Sequence, residues 1–274
     1  MKKYIKLLSL TVAVFLSLTL VACNNSKDTS NKNSQNTEKQ NPKNAWSNIE
    51  KSKEFVVGLC AAYAPFESRN EKTGEIEGFD IDLANSLAKE MGVKAKIVDA
   101  EWQALLGGLN KGTYDVLITC MSKKEAAKEN VTMSDPYYNL TDIIVVREDD
   151  DSIKSSKDLK NKIVGVQLGS GSEQIADKLG NFKEIKRYNY NPEAFIDLKN
   201  KRCDAVLVSY PYAVNYMKTQ KGYKVINDTL ESVEIVIVGK AGEQEMITKF
   251  NDALKKIKEN GEYDKIIDKW LKIK

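Results

Sequence analysis

The chain has 274 residues, of which 42% are hydrophobic and 30% are charged, and these proportions are normal for a globular protein and exclude a membrane-embedded bundle. It contains no histidine, which excludes Ser–His and Cys–His catalysis and removes the commonest metal ligand. The formal charge of +3 equals the charge of Lys2, Lys3 and Lys6, so the rest of the chain is neutral and offers no basic excess for nucleic acid.

The first 22 residues have the layout of an export signal. Two lysines precede residues 7–21, which are apolar apart from serine and threonine. This stretch is short for a membrane-spanning helix, which needs about 20 apolar residues. A small residue precedes Cys23, as at a cleavage site. We therefore expect residues 1–22 to be a signal peptide.

A polar segment follows the expected signal peptide. The Leu-Val-Ala-Cys sequence that ends at Cys23 resembles a bacterial lipobox, and this resemblance implies diacylglycerol on the Cys23 sulfur. Residues 24–44 include none of the hydrophobic residue types, so they cannot bury enough surface to fold alone. We expect residues 23–52 to form a lipidated cysteine and a flexible tether, which holds the folded body at the extracellular face of the cell membrane.

Strand-like and helix-like patterns then alternate along the chain. The first run predicts, in order, a strand at 55–59, a helix at 83–91, a strand at 95–98, a helix at 102–109 and a strand at 115–119. Ser122 and Glu125 follow with the spacing of a capping box, which predicts the start of another helix.

A second run repeats the same alternation. It predicts a strand at 162–166, a helix ending at Leu179, a strand near Ile185, a helix around Phe195 and a strand at 205–208, before a helical tail from Glu243. Two successive runs of this kind predict an α/β protein of two lobes with largely parallel sheets. Because ligands bind beyond the carboxyl ends of such strands, we expect a cleft that closes on a solute.

Several segments resemble, in order, those of the family 3 solute-binding proteins, the polar amino-acid receptors of ABC importers. They are Ala62-Tyr63-Ala64-Pro65-Phe66, Gly78-Phe79-Asp80-Ile81-Asp82-Leu83, Ser134-Asp135-Pro136-Tyr137-Tyr138, Val164-Gly165-Val166-Gln167-Leu168-Gly169, Asp204-Ala205-Val206 and Asn260-Gly261-Glu262-Tyr263. The resemblance implies a two-lobed, periplasmic-binding-protein-like fold of type II, with the second lobe inserted in the first.

The same resemblance implies where the lobes begin and end. Two hinge strands are expected, with crossings near 139–143 and 232–235. Residues 53–141 and 234–274 would form lobe 1, and residues 142–233 would form lobe 2.

The resemblance also assigns a ligand site. Its positions here are Cys60, Tyr63, Phe66, Trp102, Thr119, Cys120, Met121, Ser122, Gln167, Ser170, Gly171, Ser172 and Ser209. Aromatic side chains would stack on the ligand, with ordinary packing as the alternative, and the loop at 167–171 would hold an anion at a helix start.

Two positions depart from the family pattern. The family's carboxylate-binding arginine corresponds to Ala127, and its ammonium-binding aspartate corresponds to Ser209. Because hydrogen bonds to charged groups contribute about 1.5–3 kcal/mol each, standard amino acids are expected to bind weakly or not at all. Replacement of the arginine by Lys123, Lys124 or Lys128 stays open.

Cys60 and Cys120 end strands that are neighbours in this family, and neighbouring strands lie about 4.8 Å apart. We expect their thiols to approach each other at the cleft floor, unbonded rather than as a disulfide, although a disulfide and simple packing both stay open.

The combined interpretation is a substrate-binding lipoprotein of an ABC importer that captures a small amino-acid-like, modified or non-standard solute. Its expected partners are the permease and ATPase subunits, with no cofactor, no metal and no partner copy. One alternative is a receptor for an ordinary polar amino acid with a rewired site. A dehydratase-type enzyme on the same fold is disfavoured, because histidine is absent and no cluster of cavity carboxylates is expected.

Overall fold

The structure is a computed structural model that describes residues 45–272. The expected signal peptide, Cys23 and most of the expected tether lie outside the described residues. The helices are α1 (Ala45–Ser52), α2 (Phe79–Met91), α3 (Leu105–Lys111), α4 (Lys123–Ala126), α5 (Gly171–Leu179), α6 (Asn191–Lys199), α7 (Tyr210–Thr219), α8 (Gln244–Glu259) and α9 (Glu262–Trp270).

Thirteen strands are seen within the described residues. They are β1 (Glu54–Leu59), β2 (Ala62–Tyr63), β3 (Glu67–Arg69), β4 (Ile76–Glu77), β5 (Lys94–Asp99), β6 (Val116–Leu117), β7 (Val131–Met133), β8 (Tyr138–Arg147), β9 (Ile163–Gln167), β10 (Glu184–Tyr188), β11 (Ala205–Ser209), β12 (Tyr223–Ile235) and β13 (Val238–Lys240). Short 3₁₀ helices lie at Trp102–Ala104 and Ser156–Leu159.

These strands form two five-stranded sheets and one small sheet. The first sheet has the order β5-β1-β6-β13-β7, the second β10-β9-β11-β8-β12, and β2, β3 and β4 form the third. Along each large sheet the first two strand pairings are parallel and the last two are antiparallel, so four of the five strands run in the same direction. The prediction of largely parallel sheets is therefore confirmed, except that β13 in the first sheet and β8 in the second run in the opposite direction to the other strands.

The long strands β8 and β12 connect the two large sheets. They pair antiparallel, with Asn139 opposite Glu234 and Thr141 opposite Ser232, and the register shifts between Ile226 and Glu231. One end of this pair lies beside the first sheet, where the Tyr137 amide donates to the Ile235 carbonyl, 2.9 Å away. The fold is thus two-lobed with the second lobe inserted in the first.

Helices cover both faces of each sheet. In the first lobe α2, α8 and α9 pack on one face, and the ring of Phe55 in β1 meets that of Phe250 in α8 edge to face, with centroids 5.1 Å apart. Helix α3 packs on the other face through Leu105 and Leu109. In the second lobe α6 and α7 cover one face and α5 the other.

Helix α1 corrects the expected tether boundary at residue 52. Trp46 and Ile49 lie three residues apart, so they share one helix face, and both are buried in the first-lobe core. The Ala45 amide also donates to the Glu243 carboxylate, 2.9 Å away. The folded body therefore includes residues 45–52.

Among residues 45–272, no helix combines the length and apolar character that a membrane crossing requires.

Candidate functional site

A cavity lies where the strand ends of the two lobes face each other. Ligands of α/β sheets bind at such edges. Its lining comes from both lobes: Cys60, Ala62, Tyr63, Glu67, Trp102, Thr119, Cys120, Glu125, Leu140, Asp142, Gln167, Ser170, Gly171, Ser172, Ile175, Asn191 and Val233.

Most of the residues that the sequence assigned to the site line this cavity. They are Cys60, Tyr63, Trp102, Thr119, Cys120, Gln167, Ser170, Gly171 and Ser172. The first five come from the first lobe and its small sheet, whereas the last four run from the end of β9 to the start of α5 in the second lobe.

Phe66 is a correction, because its ring lies in the core rather than in the cavity. The residue is 0% exposed and packs against Phe79 and Tyr138, with ring centroids 5.8 and 5.5 Å away. Phe66 follows Tyr63 by three residues. The turn between them directs the Tyr63 ring to the cavity and the Phe66 ring into the core beneath it.

Met121, Ser122 and Ser209 are not among the lining residues. The Met121 side chain packs in the hydrophobic core between α3 and the first sheet. Ser122 begins α4 with the predicted capping box, in which its hydroxyl accepts from the Glu125 amide. Ser209 is 0% exposed and accepts a hydrogen bond from the Tyr63 hydroxyl, 2.6 Å away.

Aromatic side chains from the first lobe reach across to the second. The Tyr63 ring stacks on Tyr212 of α7, with centroids 4.8 Å apart. Trp102 approaches Gly169 so closely that a Cβ added there would lie 3.5 Å from the indole nitrogen. The neighbouring Gln103 amide donates to the Leu168 carbonyl, 3.3 Å away. These contacts hold the lobes together over the cavity.

Three carboxylates line the cavity, contrary to the expectation that no such cluster would occur. Glu67, Glu125 and Asp142 are 1%, 5% and 3% exposed. Glu67 accepts from the Thr119 hydroxyl, 2.8 Å away. Burial raises the pKa of Glu67 well above its ordinary value, and the nearby Asp80 carboxylate raises it further.

Glu125 links the first lobe to the start of α5 in the second. Its Oε2 accepts from the Ser122 amide, 2.7 Å away, and a Cβ added at Gly171 would lie 3.7 Å from its carboxyl carbon. Burial raises the pKa of Glu125 to about 7, with a smaller contribution from Asp142. Its hydrogen bonds with Ser122 and with the Gly171 backbone oppose this rise.

Asp142 lies on β8 and faces the same helix start. The Ser172 hydroxyl donates to its Oδ2, 2.6 Å away. Burial raises the pKa of Asp142 to about 6, and Glu231 on the adjacent strand raises it further. The carboxyl groups of Glu125 and Asp142 therefore both lie at the amino terminus of α5, where partial positive charge favours anions.

The three lysines considered as arginine substitutes do not line the cavity. Lys123 lies 3.5 Å from the Glu234 carboxylate, and Lys124 forms an ion pair with Glu231. Lys128 is exposed, as is Ala127, which ends α4. None of these three lysines is among the described residues that line the cavity.

Neutral amides complete the second-lobe wall. The Asn191 amide donates to Gln167 Oε1, 2.9 Å away, and the Gln167 amide donates to the Asn189 carbonyl, 3.0 Å away. Asn191 was missed from the sequence, because the start of α6 carries no strand-end signal. Also missed were Ala62, Glu67, Glu125, Leu140, Asp142, Ile175 and Val233.

Cys60 and Cys120 line the cavity from opposite faces of the first sheet. Their strands are neighbours, as predicted, with Val57 opposite Val116. However, Cys60 packs in the cluster on the α3 side and Cys120 in the cluster on the α2 side, since side chains alternate along a strand. Both cysteines are free, as expected, and their side chains belong to different core clusters.

Among the described residues, no group of three or more histidine, cysteine, aspartate or glutamate side chains is placed to hold a metal ion.

Comparisons with known proteins agree with this architecture. The family model described as bacterial extracellular solute-binding proteins, family 3, matches residues 55–273. The arginine-binding extracellular protein ArtP of Bacillus subtilis (strain 168) is 31% identical over 99% of this chain and 98% of its own length. The L-cystine-binding protein TcyA of the same strain is 27% identical over the same shares of both chains.

Solved structures of amino-acid-binding proteins are also similar to this chain. An ancestral arginine-binding protein bound to arginine matches with a TM-score of 0.75 and 38% identity, covering 80% of this chain and 98% of that one. The ancestral amino-acid-binding protein AncCDT-1, a precursor of cyclohexadienyl dehydratase, matches with a TM-score of 0.76 and 35% identity, covering 84% and 100%.

Proposed function

The chain belongs to the bacterial extracellular solute-binding proteins of family 3, and we propose that it is the receptor of an ABC importer for a small amino-acid-like, modified or non-standard solute. The observation that carries this proposal is the cavity between the lobes, whose lining comes from the strand ends of both. A receptor that closes around its solute needs such a divided site.

The proposal excludes ordinary amino acids as preferred ligands. Ala127 is exposed at the end of α4, and the Ser209 hydroxyl is already bonded to Tyr63. Neither position supplies the charged partner that a free amino acid requires. The alternative, a receptor for an ordinary polar amino acid with a rewired site, predicts a sub-micromolar dissociation constant for at least one of the twenty.

We further propose that the chain is anchored by lipid on Cys23 at the extracellular face of the membrane and acts as a monomer. Its partners would be the permease and ATPase subunits that receive the solute. The proposed role is binding without catalysis, so solute recovered after incubation should be chemically unchanged.

A thermal-shift screen of the full chain in detergent tests the proposal. The panel contains the standard amino acids, amino-acid derivatives and amines, dipeptides, nucleobases and aromatic metabolites. A ligand at 100 times its dissociation constant should stabilise the protein by about 2.7 kcal/mol.

A matched pair of variants shows whether a hit binds in the cavity. Trp102→Ala removes an aromatic wall and should abolish the shift, whereas Tyr210→Ala removes an exposed aromatic residue outside the cavity and should leave it. The receptor proposal fails if no compound shifts the wild type, or if both variants respond as the wild type does.

A further inference from the structure

The cavity is lined by acidic groups that have no basic partners in the part of the chain that the structure describes. Three buried carboxylates line it, and no lysine or arginine is among its lining residues in the described chain. Lys124 of α4 and Lys178 of α5 are engaged elsewhere, because both pair with Glu231. Buried charges without partners are costly, and no basic side chain among residues 45–272 offsets these three carboxyl groups in the cavity.

The helix start that could hold a ligand's carboxylate already faces carboxylates of the protein. Glu125 lies beside Gly171, the first residue of α5, and Asp142 accepts from the Ser172 hydroxyl, the second residue. A ligand carboxylate placed there would meet two acidic groups at close range. Like charges in a desolvated site repel strongly, so the arrangement disfavours such a ligand.

A second observation points to a positively charged or donating ligand. Glu67 is 1% exposed and lines the cavity, and neither its Oε2 nor the carboxyl oxygens of the adjacent buried Asp80 have a hydrogen-bond donor among the described residues. Buried acceptors are normally satisfied by protein or by a bound group. The aromatic rings of Tyr63 and Trp102 also line the cavity, and aromatic faces attract cations.

We infer that the solute is an organic cation without a carboxylate, an amine or guanidine whose positive group lies among Glu67, Glu125 and Asp142 and whose apolar part lies against Tyr63 and Trp102. This inference rests on the proposed receptor function and names the chemical class of its ligand. It also gives the absence of a positive charge at Ala127 a reason, since a ligand without an α-carboxylate needs no arginine clamp, and the carboxyl groups of Glu67, Glu125 and Asp142 would take the place of the acid missing at Ser209.

Calorimetry with matched pairs tests the inference on the full chain in detergent. Each pair differs only by a carboxylate: agmatine and arginine, cadaverine and lysine, tyramine and tyrosine. The amine of at least one pair should bind about tenfold or more tightly than its amino acid, because charge-assisted hydrogen bonds form without repulsion.

Variants assign the preference to the carboxylates. Glu125→Gln keeps the capping box, since glutamine also serves at that position, and should weaken amine binding by about tenfold. Asp142→Asn should act in the same direction. Glu129→Gln, four residues further along and exposed, is the control and should leave amine binding unchanged. Thermal unfolding of each ligand-free variant shows whether it is folded.

The outcomes separate the two proposals. Tighter binding of an amino acid, a dipeptide or a neutral compound than of every amine would overturn the inference and leave the receptor function standing. Equal amine affinity in wild type and in folded Glu125→Gln and Asp142→Asn variants would also overturn it. Binding of no compound in the wider panel would count against the receptor function and the inference together.

Discussion

The Tyr63 hydroxyl donates to Ser209 Oγ across 2.6 Å and thereby joins the small sheet of the first lobe to the end of β11 in the second. The same ring stacks on Tyr212 of the second lobe. A side chain that lines the cavity is thus also part of the contact that keeps the lobes closed. Binding and closure share this residue.

Tyr63→Phe removes the hydroxyl and keeps the ring. A typical hydrogen bond contributes about 0.5–1.5 kcal/mol, so affinity for the solute should fall by about two- to tenfold. Calorimetry measures this loss, and small-angle scattering should show a more open ligand-free chain. Tyr188→Phe is the control, because that hydroxyl bonds to Asp197 within the second lobe. Equal losses in both variants would contradict a role for Tyr63 in closure.

Phe66→Leu separates packing from ligand contact. Phe66 is fully buried against Phe79 and Tyr138, so the smaller side chain should lower the free energy of unfolding by about 1–3 kcal/mol. Solute affinity at a temperature where the variant is folded should stay within about twofold of wild type, because Phe66 does not line the cavity and reaches it only through the ring of Tyr63, whose centroid is 6.0 Å away. Denaturant unfolding and calorimetry provide the two values. A large loss of affinity with unchanged stability would show that the ring contacts the solute.

The buried carboxyl groups predict how stability depends on pH. Burial raises the pKa of Glu125 from 4.5 to about 7 and that of Asp142 from 3.8 to about 6. The folded state then holds more protons than the unfolded state between these values, so the free energy of unfolding should fall as pH rises from about 4 to about 7. The groups facing this pair are the Ser122 amide and hydroxyl, the Ser172 hydroxyl and the Glu231 carboxylate.

Glu125→Gln checks this assignment, because glutamine does not titrate. Its free energy of unfolding, measured without ligand, should depend less steeply on pH between about 5 and 7 than that of wild type. Glu129→Gln should retain the wild-type slope. An unchanged slope in Glu125→Gln would mean that other carboxyl groups, with Glu67 and Asp80 foremost, set the dependence.

Trp46→Ala tests whether helix α1 belongs to the folded body. Trp46 is 6% exposed and packs in the first-lobe core, so its truncation should destabilise the protein by about 3 kcal/mol. Asn48→Ala, on the exposed side of the same helix, should have a small effect. Thermal unfolding gives both values. Similar unfolding temperatures for the two variants would indicate that residues 45–52 belong to the tether and not to the folded body.

Cys23→Ala tests the proposed anchor. Wild-type protein should sediment with membranes, whereas the variant should appear in the soluble fraction or retain its signal peptide, which a shift in mass reveals. Cys203→Ala, a buried cysteine of the second lobe, is the control and should sediment as wild type does. A Cys23→Ala variant that stays as tightly bound and fully processed would contradict lipid anchoring.

The order of strands and helices was predictable because apolar periodicity is a local property. The runs at Phe55 and Lys162 correspond to β1 and β9, and the capping-box pair Ser122 and Glu125 begins α4. Trp46 and Ile49 also have helical spacing, but two apolar residues after a polar segment were too weak a signal to move the tether boundary.

The charge of the cavity was not predictable from local pattern. Glu125 was recognised only as a capping residue, and its approach to Gly171 depends on how the two lobes meet. Asp142 lies within a strand that passes between lobes, where alternation alone does not say which space a side chain faces. The placement of Phe66 and Cys60 likewise depends on turn geometry and on the faces of a sheet whose strands are distant in sequence.

The contact between Phe55 and Phe250 has a consequence for the order in which the chain acquires its structure. The first lobe begins with α1 and β1 but obtains β13, α8 and α9 only from the last forty residues or so, whereas the second lobe is continuous from β8 to β12. Contacts between residues far apart in sequence form late. If the chain is exported from its amino terminus, as its proposed location requires, the second lobe can become compact first, and the first lobe stays incomplete until the carboxyl-terminal helices have crossed the membrane. The solute cavity, which needs both lobes, is consequently the last part of the molecule to exist.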